Sequence, residues 1–364
     1  MTLYFDISKL VDDPRRSGIQ RVERELLRHW PHEGALVPCR FDGTRLRRLA
    51  PGVVDVLCQE ATAGGAAAER VALAPFLAEP GSVVPPGAAL LCAELFDDPA
   101  RAAYLRAEAQ HVRWLVYDFL PWLHPDWFPA GPANRLMVFL QALRAAGRRG
   151  YISAATKRDA VERILRRPCT GEVLPLGADG LGLPRQSFDP ARRDVLMLGT
   201  IEARKNANVA IRACQHLWAA GAEFRLVLAG AMEPDALAEQ ALLRSLEGER
   251  RLVRLGVASD AALREAFGRA RVLLFPSEGE GYGLPPMEAL YAGIPVIAAA
   301  GLPALEGVAA DGQIRLAAPD EGSIAAAIGT MLADEPARSL WAGAARMTLP
   351  RWRDFARAVA AWAS

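Results

Sequence analysis

Apolar residues in this chain follow two rhythms that alternate along its length. Short apolar runs bounded by glycine, proline or a charged residue predict buried strands, and apolar residues spaced three and four apart predict amphipathic helices. Leu3-Tyr4-Phe5-Asp6-Ile7 opens as a strand, after which Ile19, Val22, Leu26, Leu27 and Trp30 keep a helical period. Val53-Val54-Asp55-Val56-Leu57-Cys58, Ala88-Ala89-Leu90-Leu91-Cys92 and Trp114-Leu115-Val116-Tyr117-Asp118 read as further strands, whereas the alanine- and glycine-rich stretch 61–68 reads as a mobile loop. Tyr151-Ile152 gives way to a helix capped near Ser153, and Val173 to Asp179 closes on a glycine turn. No apolar period survives from Gly180 to Arg192, which marks a linker.

Beyond the linker the alternation is more regular. Strands are expected at 194–199, 224–230, 251–257, 272–275 and 295–298, with helices over 208–220 and 261–271 and a further one beginning near Met287. The last two elements before the C-terminal helix are helices at 321–332 and 336–346. Strand, helix, strand at this spacing predicts a parallel, doubly wound α/β sheet, and 364 residues are too many for one comfortable core. Two such domains are therefore expected.

The most informative stretch is Phe275 to Ala298, a glycine-rich loop between two apolar runs. Gly279, Gly281 and Gly283 place a backbone without Cβ at every second position, where a ligand can approach the main chain. Pro285-Pro286 supplies first-turn residues for the helix that follows, and Gly293 is placed to end it. Glu280 then falls in the loop and Glu288 in the first turn, and the helix start favours an anionic or polyhydroxylated ligand. A plain strand-to-helix turn accounts for the same composition.

Composition narrows the classes. A net charge of +1 makes no case for nucleic acid, and no apolar run approaches the length of a bilayer span. The N-terminus lacks a basic start followed by an apolar segment, so a cytoplasmic protein is expected. Cys39, Cys58, Cys92, Cys169 and Cys214 are scattered and form no paired motif, and the five histidines form no metal spacing. Among 43 basic residues only Lys9, Lys157 and Lys205 are lysines, so Lys205 beside Arg204 at a strand end stands out as a cationic pair for a diphosphate. Arg45, Arg47 and Arg48 read as a solvated edge, with a membrane-surface contact as the alternative.

Ser277-Glu278-Gly279-Glu280-Gly281-Tyr282-Gly283-Leu284-Pro285-Pro286-Met287-Glu288 resembles the Glu-x7-Glu signature of retaining glycosyltransferases of the GT-B fold, family GT4. Gly199-Thr200-Ile201-Glu202-Ala203-Arg204-Lys205-Asn206 resembles a second motif of that family, although other members carry an arginine where this chain has Thr200. Tyr117 stands where the family often has a histidine before Asp118. The resemblance implies two Rossmann-like domains facing a cleft: 1–180 on the acceptor side, a linker at 181–192, a nucleotide-sugar domain at 193–347, and a C-terminal helix at 348–364 packing back towards the first domain.

It also implies roles. Glu280, Lys205, Arg204 and Asp118 are the expected catalytic residues. Glu288, Gly281, Tyr282, Gly283, Leu284, Thr200, Gly199, Arg254 and Val257 are expected to bind the donor, and Gly18, Arg21 and His124 to lie on the acceptor side. The expected reaction moves a hexose, with mannose the leading candidate, from a GDP- or UDP-sugar to a saccharide or lipid-linked acceptor, without metal or other cofactor, at the inner face of the membrane or free in the cytoplasm. A catalytically inactive nucleotide-sugar-binding subunit is the main alternative, and a GT-B epimerase or phosphorylase a third.

Overall fold

The computed structural model describes residues 2–15, 17–60, 65–78, 81–128, 132–166 and 171–364. Cys169 and the first half of the 61–68 stretch lie outside them. The chain divides into two compact units, Met1–Gly177 with Pro350–Ser364, and Ala178–Leu349.

The first unit is built on β1 (Thr2–Asp6), β2 (Ala35–Phe41), β3 (Leu46–Arg48), β4 (Leu90–Cys92), β5 (Val112–Val116), β6 (Arg148–Tyr151) and β7 (Gly171–Val173). Their order is β3-β2-β1-β4-β5-β6-β7, parallel except for the antiparallel edge strand β3. Strand order reverses between β1 and β4, so their C-terminal ends form the switch point at which doubly wound sheets bind ligands. An aromatic core packs one sheet face, with Trp114 and Phe139 edge to face at 5.2 Å and Trp122 stacked on Phe139 at 6.1 Å.

The expected strand at 53–58 is instead a helix, Gly52–Leu57. Its β-branched residues favour a strand locally, but Val53 and Leu57, four apart, are the two that are buried, and helical burial overrides the local preference. The alanine-rich stretch is also less loop-like than expected, since a helix runs from Gly65 to Leu77. Alanine's helix propensity explains that outcome.

The helix Trp352–Ala363 completes this unit. Trp352, Phe355, Val359 and Trp362 bury one face of it, and Gly177 leaves no room for a side chain, because a Cβ there falls 2.2 Å from the backbone nitrogen of Trp352. Arg113 and Arg148, on neighbouring strands, donate to the carbonyls of Ala363 at 3.0 Å and Trp362 at 3.0 Å. Two cations thus satisfy the end of a helix whose last carbonyls have no partner of their own.

The second unit is wholly parallel: β8 (Asp194–Leu198), β9 (Arg225–Ala229), β10 (Leu252–Gly256), β11 (Ala270–Phe275), β12 (Val296–Ala299) and β13 (Gln313–Leu316), in the order β10-β9-β8-β11-β12-β13. Its switch point lies between β8 and β11. Residues 178–193 are pinned to this unit: Gln186 donates its backbone N–H to Ala292 O at 2.7 Å, Arg185 holds the carbonyls of Ala345 and Met347, and the fully buried Arg271 reaches Asp189 O. Among the described residues no helix is long and apolar enough to cross a membrane.

Candidate active site

Two loops meet at the switch point of the second sheet. The first leaves β8 through Gly199, whose φ of +135° few side chains tolerate, and reaches a short turn at Ala203–Lys205. The second leaves β11 at Phe275 and runs to Gly283. Two hydrogen bonds tie the loops together: Glu278 N donates to Arg204 O at 2.9 Å, and the side-chain amide of Asn206 donates to Pro276 O at 3.0 Å.

This lock brings four charged side chains into one cluster. Lys205 Nζ is paired with Glu280 Oε1, and Arg204 Nη1 lies 3.3 Å from Glu280 Oε2. Arg204 also pairs with Glu202 at 2.6 Å and donates to Gly279 O at 2.7 Å, while Ser277 Oγ donates to Glu280 Oε1 at 2.6 Å. Burial alone pushes the Glu280 carboxyl up, but the Lys205 and Arg204 cations outweigh it and hold Glu280 below its ordinary value. Burial pulls the Lys205 ammonium down, and Glu280 does not fully restore it because Arg204 repels it from the other side. Glu202 is pushed up by burial, with Arg204 opposing. The cluster holds two cations against two carboxylates in a desolvated place, where an incoming anion has strong, pre-positioned partners.

The helix after the second loop starts earlier than expected. It spans Leu284–Tyr291 rather than beginning at Met287, because Gly283 at φ +109° turns the chain and Leu284, Pro285 and Pro286 occupy positions whose N–H groups need no helical partner. Glu288 therefore sits in the second turn, not the first, and is buried at 1% exposure. Tyr282 and Leu284 are buried too, and Tyr282 O accepts from Ala304 N at 2.9 Å. Gly199 and Thr200 lie at the root of the first loop, and a Cβ at Gly199 would fall 3.9 Å from Lys205 Nζ. Arg254 and Val257 lie at the end of edge strand β10, exposed to solvent and two strands from β8, roughly 10 Å away.

In the first unit, Gly18 opens the helix Gly18–His29, whose Ser17 cap accepts from Gln20 N, and Arg21 lies in its first turn. Asp118 follows β5 and its Oδ1 accepts from Leu120 N at 3.0 Å. His124 stacks face to face on Trp127 at 3.9 Å.

A second charged cluster, missed in the sequence, occupies the switch point of the first sheet. Asp6 ends β1 and Glu94 follows β4, and the buried guanidinium of Arg101 bridges them at 2.7 and 2.5 Å. Glu94 also accepts from Lys9 N and Leu10 N at 2.9 and 2.7 Å. Burial opposes the charge on Arg101, but the two carboxylates more than restore it. Glu23 beside them is fully buried, and neither of its oxygens has a hydrogen-bond partner among the described residues. Burial, and then the charge of Glu94, push its carboxyl well above the ordinary value. An acid at the end of an apolar run is the signal that singled out Asp118, and it holds equally for Asp6 and Glu94. Among the described residues no group of three or more His, Cys, Asp or Glu side chains is placed to hold a metal ion.

A family model described as glycosyl transferases group 1 matches residues 184–348, the segment that carries the first cluster. The match covers 165 of the chain's 364 residues, a little under half. The group 1 segment does not stand alone in its likeness. The serotype-specific mannosyltransferase WbdA of Escherichia coli is 28% identical over 320 residues, covering 81% of this chain, although the chain spans only 38% of that relative's length. Among solved structures, Anabaena Alr3699/HepE in complex with UDP and glucose matches with a TM-score of 0.69 at 14% identity, over 99% of this chain and 98% of that one. WaaG, a glycosyltransferase involved in lipopolysaccharide biosynthesis, matches with a TM-score of 0.58 at 16% identity, over 94% of each chain. The fold around the group 1 segment is that of GT-B glycosyltransferases, two parallel-sheet α/β domains.

Proposed function

We propose that this chain is a retaining, metal-independent glycosyltransferase of the GT4 type. In this reading it moves a hexose, mannose first among them, from a GDP- or UDP-sugar to a saccharide or lipid-linked saccharide in surface polysaccharide assembly at the cytoplasmic face of the membrane. The observation that carries the reading is the convergence of Lys205 and Arg204 on Glu280 at the switch point of the matched segment. The mannosyltransferase name of the WbdA relative supports the choice of sugar.

In the proposed mechanism the donor diphosphate draws Lys205 and Arg204 away from their carboxylates. That exchange places two cations on the charge that develops as the diphosphate leaves, and frees Glu280 for the sugar hydroxyls. The backbone of Gly281, Tyr282 and Gly283 borders the sugar, Glu288 takes the ribose, Gly199, Thr200 and Leu284 line the phosphates and sugar, and Arg254 and Val257 flank the base. Gly18, Arg21, Asp118 and His124 serve the acceptor. The leaving diphosphate itself takes the acceptor proton, so no carboxylate nucleophile is required.

The test is release of free nucleoside diphosphate from a panel of GDP- and UDP-hexoses with a saccharide acceptor. Wild type is expected to release it, and Lys205→Ala and Glu280→Ala to lose release while still unfolding in a cooperative melt. Full activity in both variants overturns the reading, and tight sugar-nucleotide binding with no release by wild type assigns the chain to the inactive binding subunit instead.

A further inference from the structure

The opposite edge of the second sheet carries a feature that the proposed transferase site does not use. A cavity of about 980 Å³ opens at the N-terminal ends of its strands, and five arginines line it. Arg192 and Arg193 precede β8, Arg225 opens β9, Arg251 precedes β10 and Arg269 precedes β11. Five-residue strands separate this edge from the Lys205–Glu280 cluster by roughly 15 Å.

Paired charges explain only part of the group. Asp194 holds Arg225 in a two-pronged contact at 2.8 and 2.5 Å and lies 3.7 Å from Arg269. Glu249 holds Arg251 in the same way at 2.9 and 2.7 Å. The other two carboxylates of the lining do not balance the remaining cations: Asp189 accepts from Ala191 N at 2.9 Å, and Glu223 is exposed at the rim. Arg193 has no ion pair or side-chain hydrogen bond among the described residues. Arg192 reaches Gln186 Oε1 at 3.0 Å and lies over the Trp341 ring at 5.5 Å, yet its Nη1 is buried without an acceptor. The wall is open where Gly221 and Gly268 stand, since a Cβ at either meets no atom within 4 Å.

We propose that this cavity is a binding site for a phosphorylated ligand, separate from the donor site. A planar guanidinium fork matches phosphate oxygens, and on this cavity the whole fork of Arg193 and the Nη1 edge of Arg192 are without an acceptor, which favours an anion with more than one charge over a single carboxylate. The volume is at the upper end for small-molecule sites and exceeds what inorganic phosphate needs, so the phosphate is carried on a larger body, either a soluble sugar phosphate or nucleotide or a lipid headgroup.

Pyrophosphate titrated calorimetrically into the full chain tests the site. Binding is expected to survive Lys205→Ala, which disables the donor side, and to weaken about tenfold or more in Arg193→Glu and in Arg192→Ala. Arg193 is exposed, so Arg193→Glu remains informative if Arg192→Ala fails to fold. Sedimentation with phosphatidylcholine vesicles containing phosphatidic acid distinguishes the source: sedimentation lost in Arg193→Glu identifies a lipid headgroup, and pyrophosphate binding without sedimentation identifies a soluble ligand. No binding in either arm, or binding abolished by Lys205→Ala and untouched by Arg193→Glu, overturns the proposal while leaving the transferase reading as it stands.

Discussion

Asn206, held at φ 55° in the left-handed region, donates its amide to the carbonyl of Pro276 seventy positions further along the chain. With the Glu278 N to Arg204 O bond, it holds the loop carrying Arg204 and Lys205 against the loop carrying Glu280. Asn206→Ala loses a buried hydrogen bond and places an alanine where its Cβ is crowded, so it is expected to cost about 2–4 kcal/mol. Asn206→Gly restores the backbone freedom without the amide and is expected to lose less. Denaturant unfolding of the two variants measures the difference, and equal losses would mean that backbone strain contributes nothing.

The Lys205–Glu280 pair sets limits on pH at both ends. Glu280 titrates below its ordinary 4.5, so its contribution to stability is present above that value and is lost as pH falls through the lower, folded one. Lys205 titrates below its ordinary 10.5, so its ammonium disappears earlier on the alkaline side than an unperturbed lysine. Turnover is expected to decline before pH 10.5 is reached, and Lys205→Arg to move that limb upward. A pH–rate profile unchanged by Lys205→Arg would separate the lysine from the reaction.

Glu23 has the opposite sign. Its folded value is raised, by burial first and Glu94 next, with Asp6 adding to the rise and Arg101 and Arg24 opposing it. The stability linked to it is complete below the ordinary carboxylate range and falls as pH climbs through the folded value. Glu23→Gln keeps the shape without the titration, so thermal melts taken at rising pH above the ordinary carboxylate range are expected to show the variant gaining on wild type. Parallel curves would show that Glu23 does not titrate there.

Arg101 is the cation that permits Asp6 and Glu94 to be buried together. Arg101→Met leaves both carboxylates without it and is expected to destabilise by about 3–5 kcal/mol at neutral pH. Burial raises the Glu94 carboxyl above its ordinary value, so acid neutralises it early and should shrink the deficit. A deficit that stays constant from neutral to acid pH contradicts this account.

Much of the fold was legible because its strands are apolar runs with sharp ends. Asp194 to Leu198 could be read directly, the helix Glu321–Leu332 matched its expected limits, and the strand expected at 272–275 begins two residues earlier, at Ala270, where the preceding helix was expected to continue. β2 was not, because Pro38 and Arg40 break its apolar pattern, and Val53 to Cys58 was misread because a short apolar run carries no period of its own. The contacts of the sites were less visible. Adjacent Arg204 and Lys205 drew notice as a pair, but their meeting with Glu280 depends on two strands lying side by side, which spacing along the chain does not reveal. Asp6 and Glu94 each follow an apolar run, but Glu23 and Arg101 come from helices elsewhere and carry no signal that joins the four.

The first unit is interrupted in sequence while the second is continuous. A ribosome therefore delivers every residue of the second sheet before it delivers Trp352 and Trp362. Until then Gly177 and Gly150 face an empty groove where those indoles will sit, and the apolar floor beneath them is open to water and to other chains. The core of the first unit is thus complete in sequence only after the whole of the second.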